Sequence, residues 1–297
     1  MKIAILLALH NHPEQANLFI SQYLKNPGCH IFIHIDKKSL SIEKQLIKHD
    51  QVHVLPVSLS VSWGDYTQIE YVIRLMKFAS DYDHFDYYSI HSGNDLLVRP
   101  FCELEHFLAA DYKYAYLDCE RLPRNCWQYG GGLGRLALYW PEWMRRRFKP
   151  RSVKRYIRSL YGHLYGWHLI RGKKLPDNIE FWGKSAWYTL RNDCVVDCLN
   201  YLETHPDFCA LFKDSLCGDE IFFCTLVHLV CKDEVISNNN LRYIDMEHVN
   251  KSTPGAPMTI TMADIDKVKA SGAFWARKFE ADIDNEVIQY YLQLTSK

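Results

Sequence analysis

Two carboxylates stand side by side in DSLCGDEIFFCTLVHL (214–229), directly before a long apolar run. An acid at a helix start is favoured by the unpaired N–H groups and the macrodipole there, an effect of about 0.5–2 kcal/mol. Asp219 fits that role as an N-cap, which makes Glu220 the first helical residue, projecting at the helix mouth. A carboxylate in such a place can take the proton of an attacking hydroxyl. The residues alone leave both readings open: the polar start of a buried helix, or a general base.

Other groups invite chemistry and are weaker. His10 and His12 in HNH share a face of an extended segment, but no carboxylate is spaced to complete a metal site with them. Asp81 and Asp83 in DYD imitate an Asp-x-Asp pair that can hold a divalent ion. They precede the fourth strand, however, and its far end reads SGND, with only Asp95. A divalent ion needs several oxygen ligands, so no metal is expected. There is no G-x-x-x-x-G-K-[ST] and no G-x-G-x-x-G, so phosphate binding by a glycine-rich loop is not supported. YGGGLGR (129–135) leads to no phosphate-binding helix and is expected to be a mobile loop. The ten cysteines sit mostly inside apolar runs without a C-x-x-C pair; free buried thiols in a reducing compartment are expected.

The elements that must position these groups alternate between strand and helix. KIAILLAL is a continuous apolar run, as in a strand covered on both faces. PEQANLFISQYL has helical spacing, HIFIHID is a second strand, SIEKQLIKH a second helix and VHVL a third strand. WGDYTQIEYVIRLMKFA opens a helix with Asp65 and Gln68 at capping-box spacing. FDYYSIHSGNDLL and YKYAYLD are further strands, EFWGKSAWYTL is strand-like, and NDCVVDCLNYLETH is a helix capped by Asn192 or Asp193. NLRYIDM is a short strand and TMADIDKVKAS a helix. This repetition predicts an α/β fold with a mostly parallel central sheet flanked by helices. In such sheets ligands bind at the carboxyl ends of the strands, which here carry His10, Asp36, Ser92, Gly93, Asp95 and Asp118.

The middle of the chain departs from the pattern. From Arg145 to Lys174 there are eleven Lys or Arg residues and no Asp or Glu. Val153, Ile157, Leu160, Leu164 and His168 fall near one helical face, so a basic amphipathic helix is expected. A solvated charged face and a site for anionic lipid head groups both remain open, while no nucleic-acid module accompanies the charge. The whole chain of 297 residues carries no formal net charge, with 48% hydrophobic and 24% charged residues, which excludes a disordered or polyanion-seeking protein. The N-terminal apolar run falls short of the roughly 20 residues a bilayer requires and no later one is apolar enough, so a cytoplasmic protein is expected.

Seven stretches in order are HIDKKS (34–39), VSWGDYTQIE (61–70), YYSIHSGNDLLV (87–98), LDCERLP (117–123), GDEIFF (218–223), LRYID (241–245) and ARKFE (276–280). Together they resemble the core-2/I-branching N-acetylglucosaminyltransferase family, which includes the peptide xylosyltransferases. The likeness covers roughly residues 1–285. It implies a GT-A-like fold in one domain over 1–297, with a nucleotide-binding half (1–118), an acceptor and catalytic half (119–297) and a basic insertion (144–174). It also implies an inverting transfer, without cofactor or metal, from a UDP-sugar to a hydroxyl of a glycan or lipid-linked glycan. GlcNAc is the first choice of sugar and xylose the second.

In that family the glutamate of a P-D-E stretch is the general base. Glu220 matches it, with Gly218 in the place of the proline. Arg242 and Lys278 match the two cations that hold the diphosphate, and Asp118 an acceptor-binding carboxylate. Trp127 and Trp182 are candidates to stack on acceptor sugars, and Lys184 stands where relatives carry a small residue. The basic segment would rest on the inner membrane face. A catalytically inactive nucleotide-sugar-binding or membrane-docking module is the alternative.

Overall fold

The computed structural model describes residues 1–231, 235–246 and 256–296. Its first third alternates as the apolar runs require: β1 (Ile3–Leu9), α1 (Pro13–Ser21), β2 (Cys29–Ile35), β3 (Val52–Val54), α2 (Thr67–Tyr82) and β4 (Tyr87–Ser92). The middle contains β5 (Asp95–Leu97), α3 (Phe101–Asp111), β6 (Ala115–Arg121), two single turns α4 (Gln128–Gly131) and α5 (Gly134–Ala137), and α6 (Val153–Gly166). The last part runs β7 (Trp182–Arg191), α7 (Asn192–Thr204), α8 (Pro206–Phe212), α9 (Asp219–Val230), β8 (Ile236–Asn238), β9 (Arg242–Ile244), α10 (Ile265–Ala270), β10 (Trp275–Arg277) and α11 (Asn285–Thr295).

Seven strands form one sheet in the order β3-β2-β1-β4-β7-β6-β8. β1 pairs in parallel with β2 and β4, and β2 with β3, whereas β7 runs antiparallel to both β4 and β6. Alternate residues of β1 enter opposite apolar layers, as strand geometry dictates. Ile3, Ile5 and Leu7 join side chains of α1, α3 and α11, while Ala4 and Leu6 join those of α2, α7 and α9. A second, three-stranded sheet sets β10 between β5 and β9. Through it the C-terminal part of the chain reaches the carboxyl edge of the main sheet.

Local expectations are corrected at four places. The predicted helix SIEKQLIKH is instead part of 3-10 turns over Lys37–Gln45, broken at Ser39 (φ −130°, ψ 26°). The helix at WGDYTQIE starts at Thr67; Asp65 Oδ1 accepts from the Thr67 N–H at 3.0 Å, and Gln68 closes the turn by accepting from the Gly64 N–H. α7 takes Arg191, neither Asn192 nor Asp193, as its N-cap residue. The cysteines are not all free, because Cys119 on β6 and Cys224 on α9 form a disulfide, leaving eight thiols.

Candidate active site

Glu220 lies in the first turn of α9, whose N-cap is Gly218 and not Asp219. A side chain at 218 would meet Ser215 Oγ at 2.2 Å, so glycine lets the Ser215 hydroxyl sit against this turn. The Glu220 carboxylate is partly exposed and its Oε2 pairs with Arg135 Nη1 at 2.5 Å. Arg135 lies over the Trp127 ring, 3.9 Å from its centroid, with Arg124 on the same indole at 4.7 Å. Burial works against the charge of Arg135, but Glu220, Cys217 and Asp219 together outweigh it and hold the guanidinium pKa above its usual value.

The glycine-dense stretch positions this group, which corrects the expectation of a mobile loop. Gly130, Gly131 and Gly132 all have positive φ, a conformation glycine adopts at little cost. At Gly132 a Cβ would lie 2.4 Å from the Trp127 ring, so the absent side chain is what lets the indole in. Tyr129 then packs against Gly162 of α6.

Strand β7 closes the other side. Its Gly183 abuts the backbone oxygen of Glu220, where a Cβ would sit 2.9 Å away. Trp182 stacks on His228 at 4.0 Å and 8°. Lys184 pairs with Asp118 at 2.7 Å and with Glu120 at 3.2 Å. The hydrogen bond to Asp118 raises the Lys184 pKa. The unusual lysine therefore holds the carboxylate expected to meet the acceptor. The Cys119–Cys224 bond ties the residue after Asp118 to the helix of Glu220.

Asp219 has the opposite character to its neighbour. Its Oδ1 is sealed from solvent and has no hydrogen-bond partner. Burial first, and then the charge of Glu220, push its pKa from 3.8 to about 7.

At the carboxyl edge, His10 is exposed after β1, and Asp36 is buried at the end of β2. Asp36 accepts from the Lys38 N–H at 2.9 Å, and its own N–H donates to Leu9 O at 2.8 Å. Ser92 donates to Asp95 Oδ1 at 2.9 Å, and Gly93 leaves room for Leu9. Asp95 is buried, with His91 Nδ1 at 3.3 Å and Arg277 Nη1 at 3.6 Å. Burial alone would raise the Asp95 pKa; Arg277, and after it His91, hold it below its usual value.

Arg242 is the main correction among the expected site residues. It is 9% exposed, and its guanidinium donates to Ser89 Oγ at 2.8 Å, Ile90 O at 2.7 Å and Asn240 O at 2.6 Å. Its Nη atoms are turned inward as a strut under β4, and Nε is left buried without a hydrogen-bond partner. Arg277, which the sequence reading missed, is held by fewer hydrogen bonds. Its Nε and Nη1 are buried without a hydrogen-bond partner, and its guanidinium lies 3.7 Å from the Trp187 ring centroid. Lys278 follows directly, its Nζ 3.1 Å from Glu280 Oε1. Gln15 and Asn94 both donate to Phe279 O, at 2.7 and 3.0 Å, and so tether this segment to α1 and the SGND turn. His12, Asn94, Glu280 and Asp282 line a cleft of about 450 Å³ beside it. The half-buried Tyr71 feels both Asp219 and Arg277 electrostatically, which relates the two halves of the site.

A mainly parallel sheet with this carboxyl-edge site defines a GT-A-like glycosyltransferase fold. The chain belongs to the Core-2/I-Branching enzyme family, whose model matches residues 19–269. It is 20% identical over 315 residues to xylosyltransferase 2 of Bos taurus, covering 98% of this chain and 34% of that protein. It is 21% identical over 317 residues to xylosyltransferase 1 of Homo sapiens, covering 98% of this chain and 30% of that protein. The chain thus spans about a third of the length of these relatives.

Proposed function

We propose that the protein is an inverting, metal-independent glycosyltransferase that moves a sugar from a UDP-sugar to a hydroxyl of a surface glycan or its lipid-linked precursor. The nucleotide-binding half (1–118) and the acceptor half (119–297) act as one domain. UDP-GlcNAc is the donor the family likeness favours, with UDP-xylose second because the relatives named above are xylosyltransferases. The reaction takes place at the cytoplasmic face of the membrane, as the charge of the 145–174 segment favours.

Glu220 is the general base. It takes the acceptor proton while the acceptor oxygen bonds to the anomeric carbon from the face opposite the diphosphate. The bond to the diphosphate oxygen breaks, and its electron pair leaves with UDP. Arg135 orients the Glu220 carboxylate through Oε2. Arg277 and Lys278 receive the departing charge by preorganised electrostatics, the task a divalent ion performs elsewhere. His10, Asp36, Ser92 and Gly93 line the nucleotide. Asp95 anchors Arg277, and that cation 3.6 Å away disfavours a metal ion at the same carboxylate. Asp118, held by Lys184, together with Trp127 and Trp182, meets the acceptor.

The observation that carries this reading is the guanidinium of Arg277, whose buried Nε and Nη1 make no hydrogen bond, next to Lys278 at the carboxyl edge. The test is Glu220→Gln, which should lower transfer by about 10²–10⁴-fold with UDP binding retained. Undiminished turnover in that variant would remove Glu220 from the mechanism. Activity is also expected to survive EDTA.

A further inference from the structure

Helix α6 packs onto the site through one side only. Gly162 and Tyr165 face the Tyr129–Gly134 loop, and Arg158 donates to Met144 O and Arg146 O. The opposite side carries a second apolar stripe, formed by Val153, Tyr156, Ile157, Leu160 and Trp167 at helical spacing. These side chains point into solvent: Val153 is 72% exposed, Leu160 55% and Trp167 59%. Leu169, just beyond the helix, continues the stripe at 68%. Contiguous apolar surface of this kind marks an interaction site.

Charge selects the partner. The segment 145–174 contains eleven cations and no acid. Glu142 and Asp177, flanking it, are already paired with Arg146 and Lys174. Lys149, Arg151, Lys154 and Arg155 remain exposed around the N-terminal end of the stripe, with no ion pair among the described residues. A second copy of the chain docking symmetrically here would bring like charges together. An acidic glycan would satisfy the cations and leave the stripe in water. A surface that offers both anionic groups and hydrocarbon matches both features.

We propose that α6 is a monotopic membrane anchor, its Val153–Trp167 stripe inserted among acyl chains and its cations set against anionic lipid head groups. This deepens, and rests on, the reading of a transferase working on a lipid-linked acceptor. The inner side of the same helix buttresses the loop that holds Trp127 and Arg135, so docking sets the acceptor half against the bilayer surface.

The test is co-sedimentation of the full chain with vesicles of phosphatidylcholine, alone or with about 30 mol% phosphatidylglycerol. The protein is expected to pellet with the anionic vesicles, to be released by salt, and to show a blue shift of tryptophan emission. Ile157→Ser with Leu160→Ser, and separately Lys154→Glu with Arg155→Glu, should each weaken partitioning by roughly tenfold or more while melting as the parent does. Wild-type protein that ignores anionic vesicles, or variants that bind as well as wild type, would overturn the proposal. So would a solution dimer that the serine pair dissolves. UDP-sugar hydrolysis, measured without vesicles on the same samples, separates the two readings. Vesicle binding without UDP binding or turnover removes the transferase and leaves the anchor; turnover without vesicle binding does the reverse.

Discussion

At the scale of single residues, neighbours with similar labels have opposite work. Asp219 and Glu220 are adjacent acids, yet one is sealed and without a partner at Oδ1 while the other reaches solvent and Arg135. The Asp219 pKa is raised from 3.8 to about 7, so below 3.8 neither the folded nor the unfolded chain is ionised and the group is neutral for stability. As pH rises towards 7 the unfolded chain loses its proton first. The folded state falls behind by a growing penalty, which stays constant at higher pH. Asp219→Asn is therefore expected to raise Tm at about pH 8 and to change little at about pH 4, as read from thermal melts across that range. Arg242 and Arg277 divide in the same way. Arg242→Met should cost about 3–5 kcal/mol of stability, because it orphans buried acceptors. Arg277→Ala should instead weaken UDP binding, read by calorimetry, with a smaller fall in Tm. The sequence pattern suggested which stretches carry cations, but not which guanidinium turns inward. That depends on Ser89 Oγ and Ile90 O, brought to Arg242 from the distant β4.

Among the elements, those with strong periodicity were legible and those that depend on neighbours were not. β1 follows from its continuous apolar run, β2 from isoleucines at every second position, and α9 from its apolar length. The α6 helix was legible as amphipathic, but its orientation was not, because exposed and buried apolar stripes share one period. YGGGLGR reads as loose chain by composition. It is ordered because Tyr129 and Trp127 fill the space where its side chains would stand. The disulfide was hidden for a related reason: Cys119 and Cys224 are 105 residues apart, and only the packing of α9 against β6 and β7 brings them together. Thiol titration in denaturant without reductant is expected to find eight groups, matching the eight free cysteines. Reduction should lower stability by about 2–4 kcal/mol, since the bond closes a long loop in the unfolded chain. A count of ten would show that the thiols stay reduced, as the expectation of a reducing compartment requires.

Over the whole molecule, the proposed donor site draws on both sheets. His10, Asp36 and Ser92 come from the parallel strands β1, β2 and β4 or their ends, while Arg277 and Lys278 come from the end of β10, in the small sheet. The contacts that join the two there include the Gln15 bond from α1 to Phe279 O and the Arg242 guanidinium of β9, which donates to Ser89 Oγ and Ile90 O of β4. A ligand holding base and ribose on one sheet and diphosphate on the other would add a second bridge. UDP should therefore stabilise the protein as a unit, by about 2.7 kcal/mol at a hundredfold excess over Kd. Uridine alone, which lacks the diphosphate, should stabilise far less. Hydrogen exchange should slow in β1 and β10 together on addition of UDP. In the proposed site Arg277 and Lys278 supply the positive charge, so EDTA should leave the UDP shift unchanged. A shift that vanishes with EDTA and returns with Mn²⁺ would transfer the diphosphate from these two side chains to a metal ion. Among UDP-sugars, the donor is then the one whose shift exceeds that of UDP by the largest margin, since only its sugar finds added contacts in the site.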